Sequence, residues 1–358
     1  MPKPYTRAKT IWCENQRVRC AFVKKVHIRH MHKSLAPFAL AATIAVSASA
    51  AELPRWQTTL SVDHPLTGKI WRPDQNAFVT PAEMVKDLTK SHYVFLGEKH
   101  DNPDHHQLQA WVLEEFVSQG NQPAIVWEMI TEDKQDKIDA YLAQKPKDAA
   151  GLGAAVAWDT SGWPSWSEYQ PIADVALAHR LPIVAGNPSR ATVRAIGRNG
   201  LTVLPSARLA RLGLDTPLPE STKDTMLTIV AEAHCGLMPR EALSPMVAVQ
   251  RARDAILADN LIRSRKGDSA VVLIAGGGHA RLDIGVPSVL AKLDPKARMA
   301  SLALIEVDDA ETDPARYAEK FSANALPFDF VWFTPRANDR DYCAELRKRF
   351  EGHGKKKQ

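Results

Sequence analysis

Tyr93-Val94-Phe95-Leu96-Gly97-Glu98-Lys99-His100-Asp101-Asn102-Pro103-Asp104-His105-His106 decides how this chain folds. Four apolar, β-favouring residues run from Tyr93 to Leu96 and stop at Gly97. Glu98, His100 and Asp101 follow, and Asn102 then reads as a helix N-cap with Pro103 at the first helical position, where its missing N–H costs nothing. Leu108, Trp111, Val112 and Phe116 continue at spacings of three and four, the apolar stripe of a helix. A buried strand therefore delivers a carboxylate and an imidazole to its carboxyl end, which in open α/β sheets is where ligands bind. Gly97 is expected to make a sharp exit that turns Glu98 and His100 the same way, since glycine tolerates the dihedrals such an exit demands.

The pattern of apolar run, stop, polar residues and helix recurs. Ala124–Trp127 ends in Glu128, Leu181–Ala185 leads to Arg190, and Ala270–Ala275 is followed by Gly276-Gly277-Gly278-His279. Runs apolar on both faces and separated by helices indicate a parallel sheet covered on both sides. Right-handed crossovers then place every carboxyl end on one edge. Glu98, His100, Glu128, Arg190 and His279 are expected to converge there from four strands. Ser301–Val307 and Phe330–Phe333 read as the last strands. The fold class is α/β, a mostly parallel sheet flanked by helices with an inserted helical cap subdomain.

Charge is uneven along the 358 residues. Residues 1–50 carry nine of the 46 Lys and Arg and one of the 41 Asp and Glu, so residues 51–358 keep 37 cations against 40 anions and a charge near −3. The formal +5 belongs to the leader, and no nucleic-acid footprint is indicated beyond Lys355–Lys357, a solvated tail. Ser34–Ala50 is an uncharged, Ala-rich run closing on Ala48-Ser49-Ala50, an h-region with a small-x-small cleavage site. It is too short for a stable membrane span. Residues 1–50 are thus a signal peptide, with Met31 an alternative start, and the product is periplasmic or secreted. Export leaves Cys235 and Cys343, whose separation gives no ground for pairing them. No cysteine follows the h-region to carry a lipid.

The remaining segments fall into place around the strands. Residues 51–91 hold a hairpin, with Pro73–Asn76 as its turn, and a helix opened by the capping box Thr80-Pro81-Ala82-Glu83. The α/β body takes 92–203 and 264–340, a helical cap occupies 204–263, and 341–358 is a basic tail read as mobile. A loop with Trp158, Trp163 and Trp166 precedes a helix over Pro171–His179, and serves either as an apolar wall over the site or as packing for that helix.

Glutamate and histidine from several strands suit two chemistries, coordination of a divalent metal by Glu98, His100 and His279, and acid–base work by Glu98, His100, Glu128 and His279. Structural alternatives stand beside them. Glu128 could pair with a helix N-terminus, His279 could serve its own turn, and Asp254 could pair with Arg251 or Arg253. Of His105 and His106, one is expected on the site side and one in solvent. Glu98→Gln is expected to abolish ligand binding and leave the melting temperature nearly unchanged.

Gly97–His106, Trp127-Glu128-Met129, Gly278-His279-Ala280 and Gly285-Val286-Pro287 resemble the ChaN-like haem-binding uptake proteins, of a superfamily shared with the Tiki proteases and erythromycin esterases. Trp163-Pro164 with Tyr169, and His234-Cys235-Gly236 followed by Met246, Gln250, Arg253 and Asp254, fit as well. The resemblance implies an exported haem-binding protein linked to iron uptake, with haem between subunits of a homodimer or under the cap. Haem or another small molecule is then the partner. It offers His105, Trp163, Tyr169, Arg190, His234, Met246 and Arg253 around the haem, with Tyr169 and His234 as axial candidates. Trp163, Trp166 and Met246 would form the slot, and Arg190 or Arg253 would meet the propionates. In the hydrolytic relatives, positions matching Glu98, His100 and His279 surround the reacting water or metal, which implies an exported hydrolase as the alternative.

Overall fold

The computed structural model describes residues 52–354. The expected leader with Met31 and Ala48-Ser49-Ala50, and Lys355–Lys357, lie outside the described residues. Strands β1 (Ile70–Arg72) and β2 (Ala77–Val79) form the antiparallel hairpin, turning through Asn76 at φ 48°. Helix α1 (Pro81–Leu88) starts at the capping box: Glu83 N–H donates to Thr80 Oγ1 at 3.2 Å, and Thr80 N–H donates to Glu83 Oε2 at 2.8 Å. Strand β3 (Tyr93–Glu98) is buried at every residue, and α2 (Pro103–Ser118) follows, with the Asn102 side chain capping Asp104 N–H.

Strand β4 (Ala124–Thr131) carries Glu128 inside it rather than at its end. Helices α3 (Gln135–Gln144), α4 (Ala149–Ala155) and α5 (Trp166–Ala178) intervene before β5 (Ile183–Asn187). Helix α5 begins five residues before the expected Pro171, because the Ser165 hydroxyl caps Ser167 N–H and the helix absorbs Pro171 in its second turn. Helices α6 (Arg190–Asn199), α7 (Ser206–Arg211), α8 (Glu220–Ala233) and α9 (Ser244–Ser264) come next, then β6 (Val271–Gly276), α10 (Val286–Leu293), β7 (Met299–Glu306) and β8 (Phe330–Thr334).

The eight strands make one sheet in the order β2-β1-β8-β7-β3-β6-β4-β5. From β8 to β5 every pairing is parallel, and the hairpin adds an antiparallel edge. The chain runs from β3 out to β4 and β5, then returns to insert β6 between β3 and β4. Connections therefore leave β3 toward one side of the sheet and β6 toward the other, which opens a crevice beyond their carboxyl ends. Glu98, Glu128 and Gly276 lie at that crevice. One apolar layer packs α1, α2 and α5 against the sheet, and another packs α9 and α10 on the opposite face.

Two expectations change. Gly97 does not turn the chain; it lies within β3, and a Cβ there would stand 2.8 Å from Ala280 Cβ and 3.0 Å from Gly277 Cα. It is glycine because the loop after β6 crosses directly against it. The segment read as a mobile tail forms helix α11 (Tyr342–Gly354), and Cys343 is joined to Cys235 by a disulfide with Cα atoms 5.6 Å apart. The two cysteines, 108 positions apart, are brought together only by the tertiary fold, which sequence spacing does not reveal.

Candidate functional site

The loop beyond β3 is held by its own polar residues before any of them can serve a ligand. Asp104 is buried and accepts Gln57 N–H at 2.6 Å. The Asn102 amide donates to Glu306 and to the Pro335 carbonyl. His105 accepts Lys99 N–H at Nδ1, so its Nε2–H donates to Thr334 Oγ1, both at 2.8 Å. Burial, aided by neighbouring His106, pushes the His105 imidazole down to about 3 and keeps it neutral. Both His105 and His106 are fully buried, so neither faces solvent as expected. Helix α2 is covered on one side by the sheet and on another by α5, where the His106 ring lies 3.8 Å from that of Tyr169. His105 is thus part of the scaffold and does not line the cavity described below.

Glu98, at the end of β3, is 4% exposed. Its Oε1 accepts Tyr169 O–H at 2.7 Å and His100 Nδ1–H at 2.8 Å, while Oε2 lies 3.4 Å from His106 Nε2. Burial opposes ionisation of Glu98, but His106 and His100 outweigh it and hold the carboxyl well below its usual range. Tyr169 is pushed far up by burial and by Glu98, so it stays a phenol. It is fully buried and turned into the protein, and the structure does not present it as a phenolate for iron.

Across the crevice, Glu128 accepts Gly276 N–H at 2.7 Å through Oε2, and Arg253 at 2.5 Å and His279 Nε2–H at 3.2 Å through Oε1. His279 Nδ1–H donates to Asp254 at 2.5 Å. His100 Nε2 stands 3.9 Å from Glu128 Oε2 and fits against Gly276, where a Cβ would meet it at 2.7 Å. Asp254, His279, Glu128, His100 and Glu98 therefore form a continuous row of alternating carboxylates and imidazoles. Burial disfavours charge on His279, but Glu128 and Asp254 overcome it and raise the imidazole to about 9. Burial likewise opposes charge on His100, and Glu98 and Glu128 prevail, raising it. Glu128, despite burial, is held down by His279 and Arg253. Burial lifts the Asp254 carboxyl above its usual range against the pull of His279.

The sequence brought Glu98, His100, Glu128 and His279 to one rim, and all four line one cavity there. Arg190 is exposed at the start of α6, donates to the Ser161 carbonyl and is not in the lining. Glu98, His100 and His279 do not make a metal set. Glu98 is committed to Tyr169 and His100, and both nitrogens of His279 face carboxylates. Among the described residues no group of three or more His, Cys, Asp or Glu side chains could hold a metal ion. Asp254 pairs with neither Arg251 nor Arg253 but with His279. One signal could have found it: Val247, Asp254 and Leu261, seven apart, all lie on the buried face of α9, where an unpaired acid would be costly.

The cavity, about 1310 Å³, lies beyond the sheet crevice under α8 and α9. That exceeds the ~300–1,000 Å³ usual for small-molecule pockets. Its floor is the charged row with Gly276–Gly278. Met226, Val230, Met246 and Val249 from the cap form one apolar wall, and Ile284, Ile305, Phe321 and Phe328 another. Trp163 is the one tryptophan of its loop in the lining, 4.5 Å ring to ring from His100. Trp158 and Trp166 are buried in the core against each other, so Trp166 is not a slot residue. Arg253 and Lys99 put cations on the lining. His234, at the C-cap of α8, also lines it, and its Nδ1 lies 2.7 Å from the Val230 carbonyl. Nδ1 therefore carries the proton, and Nε2 is left with the lone pair that a metal centre requires.

These donors suit haem: apolar walls for the macrocycle, cations for propionates and one imidazole of fixed tautomer. The model of the family described as haem-binding uptake, Tiki superfamily, ChaN matches residues 84–290. No curated protein sequence matches the chain significantly. Among solved structures, ChaN of Campylobacter jejuni, described as binding haem cofacially, is 22% identical with a TM-score of 0.57, covering 74% of this chain and 95% of its own. An erythromycin esterase mutant in its open conformation is 12% identical with a TM-score of 0.39, covering 81% and 100%.

Proposed function

The chain belongs to the haem-binding uptake family ChaN of the Tiki superfamily, and from that premise we propose that it is an exported protein that holds haem in the cavity under the cap for iron uptake or handling. The observation that carries the reading is the large, apolar-walled cavity with the His234 Nε2 lone pair at its side. When bound, haem would supply an iron centre that a protein imidazole can hold. The residues around it have separable tasks. His234 would hold the iron, its orientation fixed by the Val230 carbonyl in the way that second-shell bonds orient metal-binding imidazoles. Met246, Val249 and Trp163 would exclude water from the ring faces, and Arg253 would meet a propionate. Export is supported by the Ala48-Ser49-Ala50 leader and by a disulfide, a bond that persists in oxidising compartments.

The test is absorbance titration of residues 51–358 with haemin. A saturable Soret shift at micromolar protein is expected, and its absence would end the reading.

One observation favours a second reading, an exported hydrolase using Glu98, His100, Glu128 and His279. Four buried titratable groups, Glu98, Glu128, Asp254 and His279, line up with the half-buried His100 at the cavity floor, an arrangement that is costly and typical of sites that move protons. Holding haem does not require them. Ester hydrolysis that disappears in His279→Asn with haemin affinity unchanged would establish this activity.

A further inference from the structure

The disulfide joins two places that the fold otherwise leaves loosely connected. Helix α8 buries Met226 and Leu227 at its middle, whereas its last turn, 230–233, contributes no fully buried residue. That last turn, with His234, lines the cavity. Directly after it Cys235 and Gly236 both take left-handed backbone, at φ 55° and 65°, and Cys235 sits there although its Cβ makes that conformation unfavourable. Besides the packing of Val230 and Ala231 against the cap's small apolar cluster, this end of α8 is held by the bond to Cys343 and by a hydrogen bond from Ser322 Oγ to Glu232 at 2.6 Å. On the other side of the bond, residues 342–351 of α11 include no buried position. Both cysteines are half-exposed, within reach of an attacking thiolate.

We propose that Cys235–Cys343 is a thiol–disulfide exchange site that sets how tightly the cavity holds haem, with a dithiol, free or on a partner protein, as its reductant. The inference rests on the haem reading above. The dithiol's thiolate attacks one sulfur of the pair, the S–S bond breaks, and the other cysteine leaves as a thiolate and takes up a proton. The second thiol of the reagent then displaces the first cysteine. Two electrons pass to the protein, which gains two thiols, and the reagent leaves as its own disulfide. In the oxidised chain the end of α8 is held down and His234 is fixed at the cavity. After reduction the covalent tie between α11 and the cap is gone, the end of α8 keeps the Val230 and Ala231 packing and the Glu232 contact, and His234 is held less firmly. Linkage requires the reverse effect as well: a bound porphyrin must make the disulfide harder to reduce by the same factor.

The test compares the oxidised chain with the Cys235→Ala/Cys343→Ala double variant, which leaves no thiolate to bind iron. Haemin release to excess apomyoglobin is expected to be about tenfold faster in the variant, inside the ~5–150-fold span of coupled sites, with the same far-ultraviolet circular dichroism. A second arm uses the natural chain alone. It is equilibrated in dithiol redox buffers with and without gallium protoporphyrin, which thiols do not reduce, and free cysteines are alkylated and counted by mass. Reduction in the folded state, shifted by porphyrin toward the disulfide, supports the proposal. Equal release rates, or thiols that appear only after unfolding, overturn it. If the oxidised natural chain binds no haemin, the haem reading falls and takes the link with it, whereas equal release from two haemin-binding proteins removes the exchange proposal alone.

Discussion

Asp254→Asn isolates the electrostatics of the charged row. His279 is buried between Glu128 at 3.2 Å and Asp254 at 2.5 Å, and its pKa stands at about 9. Against ~6.5 in an unfolded chain, that gap of about 2.5 units is worth about 3 kcal/mol at ~1.36 kcal/mol per unit. The folded pKa is raised, so this stability is fully present below about pH 6.5 and is lost as pH rises through about 9. The variant keeps Glu128 and offers a neutral oxygen to Nδ1, so it retains roughly half of the contribution, on the order of 1–2 kcal/mol. Removal of the buried Asp254 carboxyl acts in the same direction at both pH values, so comparing the two proteins at pH 6 and pH 9.5 reads the part that follows His279. Urea unfolding of both proteins at the two pH values is the assay. The natural chain is expected to lose on the order of 1–2 kcal/mol more than the variant between them. Parallel pH profiles would refute the argument that Asp254 sustains the charge on His279.

Four further outcomes follow from the same geometry. His234→Ala should weaken haemin binding by at least about 10- to 100-fold, the span that loss of even an outer-shell partner of a metal ligand produces, and change the Soret position with little change in melting temperature. Gly97→Ala should destabilise the fold by about 1–3 kcal/mol, the cost of overpacking, because its Cβ meets Ala280 and the Gly277 backbone; thermal unfolding reads it. Glu98→Gln, expected from sequence to leave the melting temperature nearly unchanged, should instead cost about 1–3 kcal/mol, since Tyr169 and His100 both donate to that buried carboxylate. N-terminal sequencing of exported protein should begin near Ala51, and an intact leader would contradict export.

Much of this architecture was legible in the chain because its signals are local. Apolar runs that end in polar residues gave six parallel strands, and the box at Thr80–Glu83 and the cap at Asn102 fixed two helix starts. A parallel sheet then brought Glu98, Glu128 and His279 together without any distance being known. What escaped depended on which neighbour covers a residue. His105 bonds to Thr334 and Asp104 to Thr58, partners supplied by remote segments. Trp166 and Trp163 share a loop, yet one lies in the core and the other faces the cavity. Arg190 follows a strand as the others do, but its side chain turns to the tryptophan loop. Asp254 looked like a helix-surface acid until the buried face of α9 placed it on His279.

The central claim is that haem lies under the cap with its iron on His234. X-ray diffraction at the iron edge from crystals of the haemin complex tests it most directly. An anomalous peak bonded to His234 Nε2, with the ring against Met246 and Val249, is the result expected. An iron peak on any other side chain, or haem bound outside the cavity, would contradict the account.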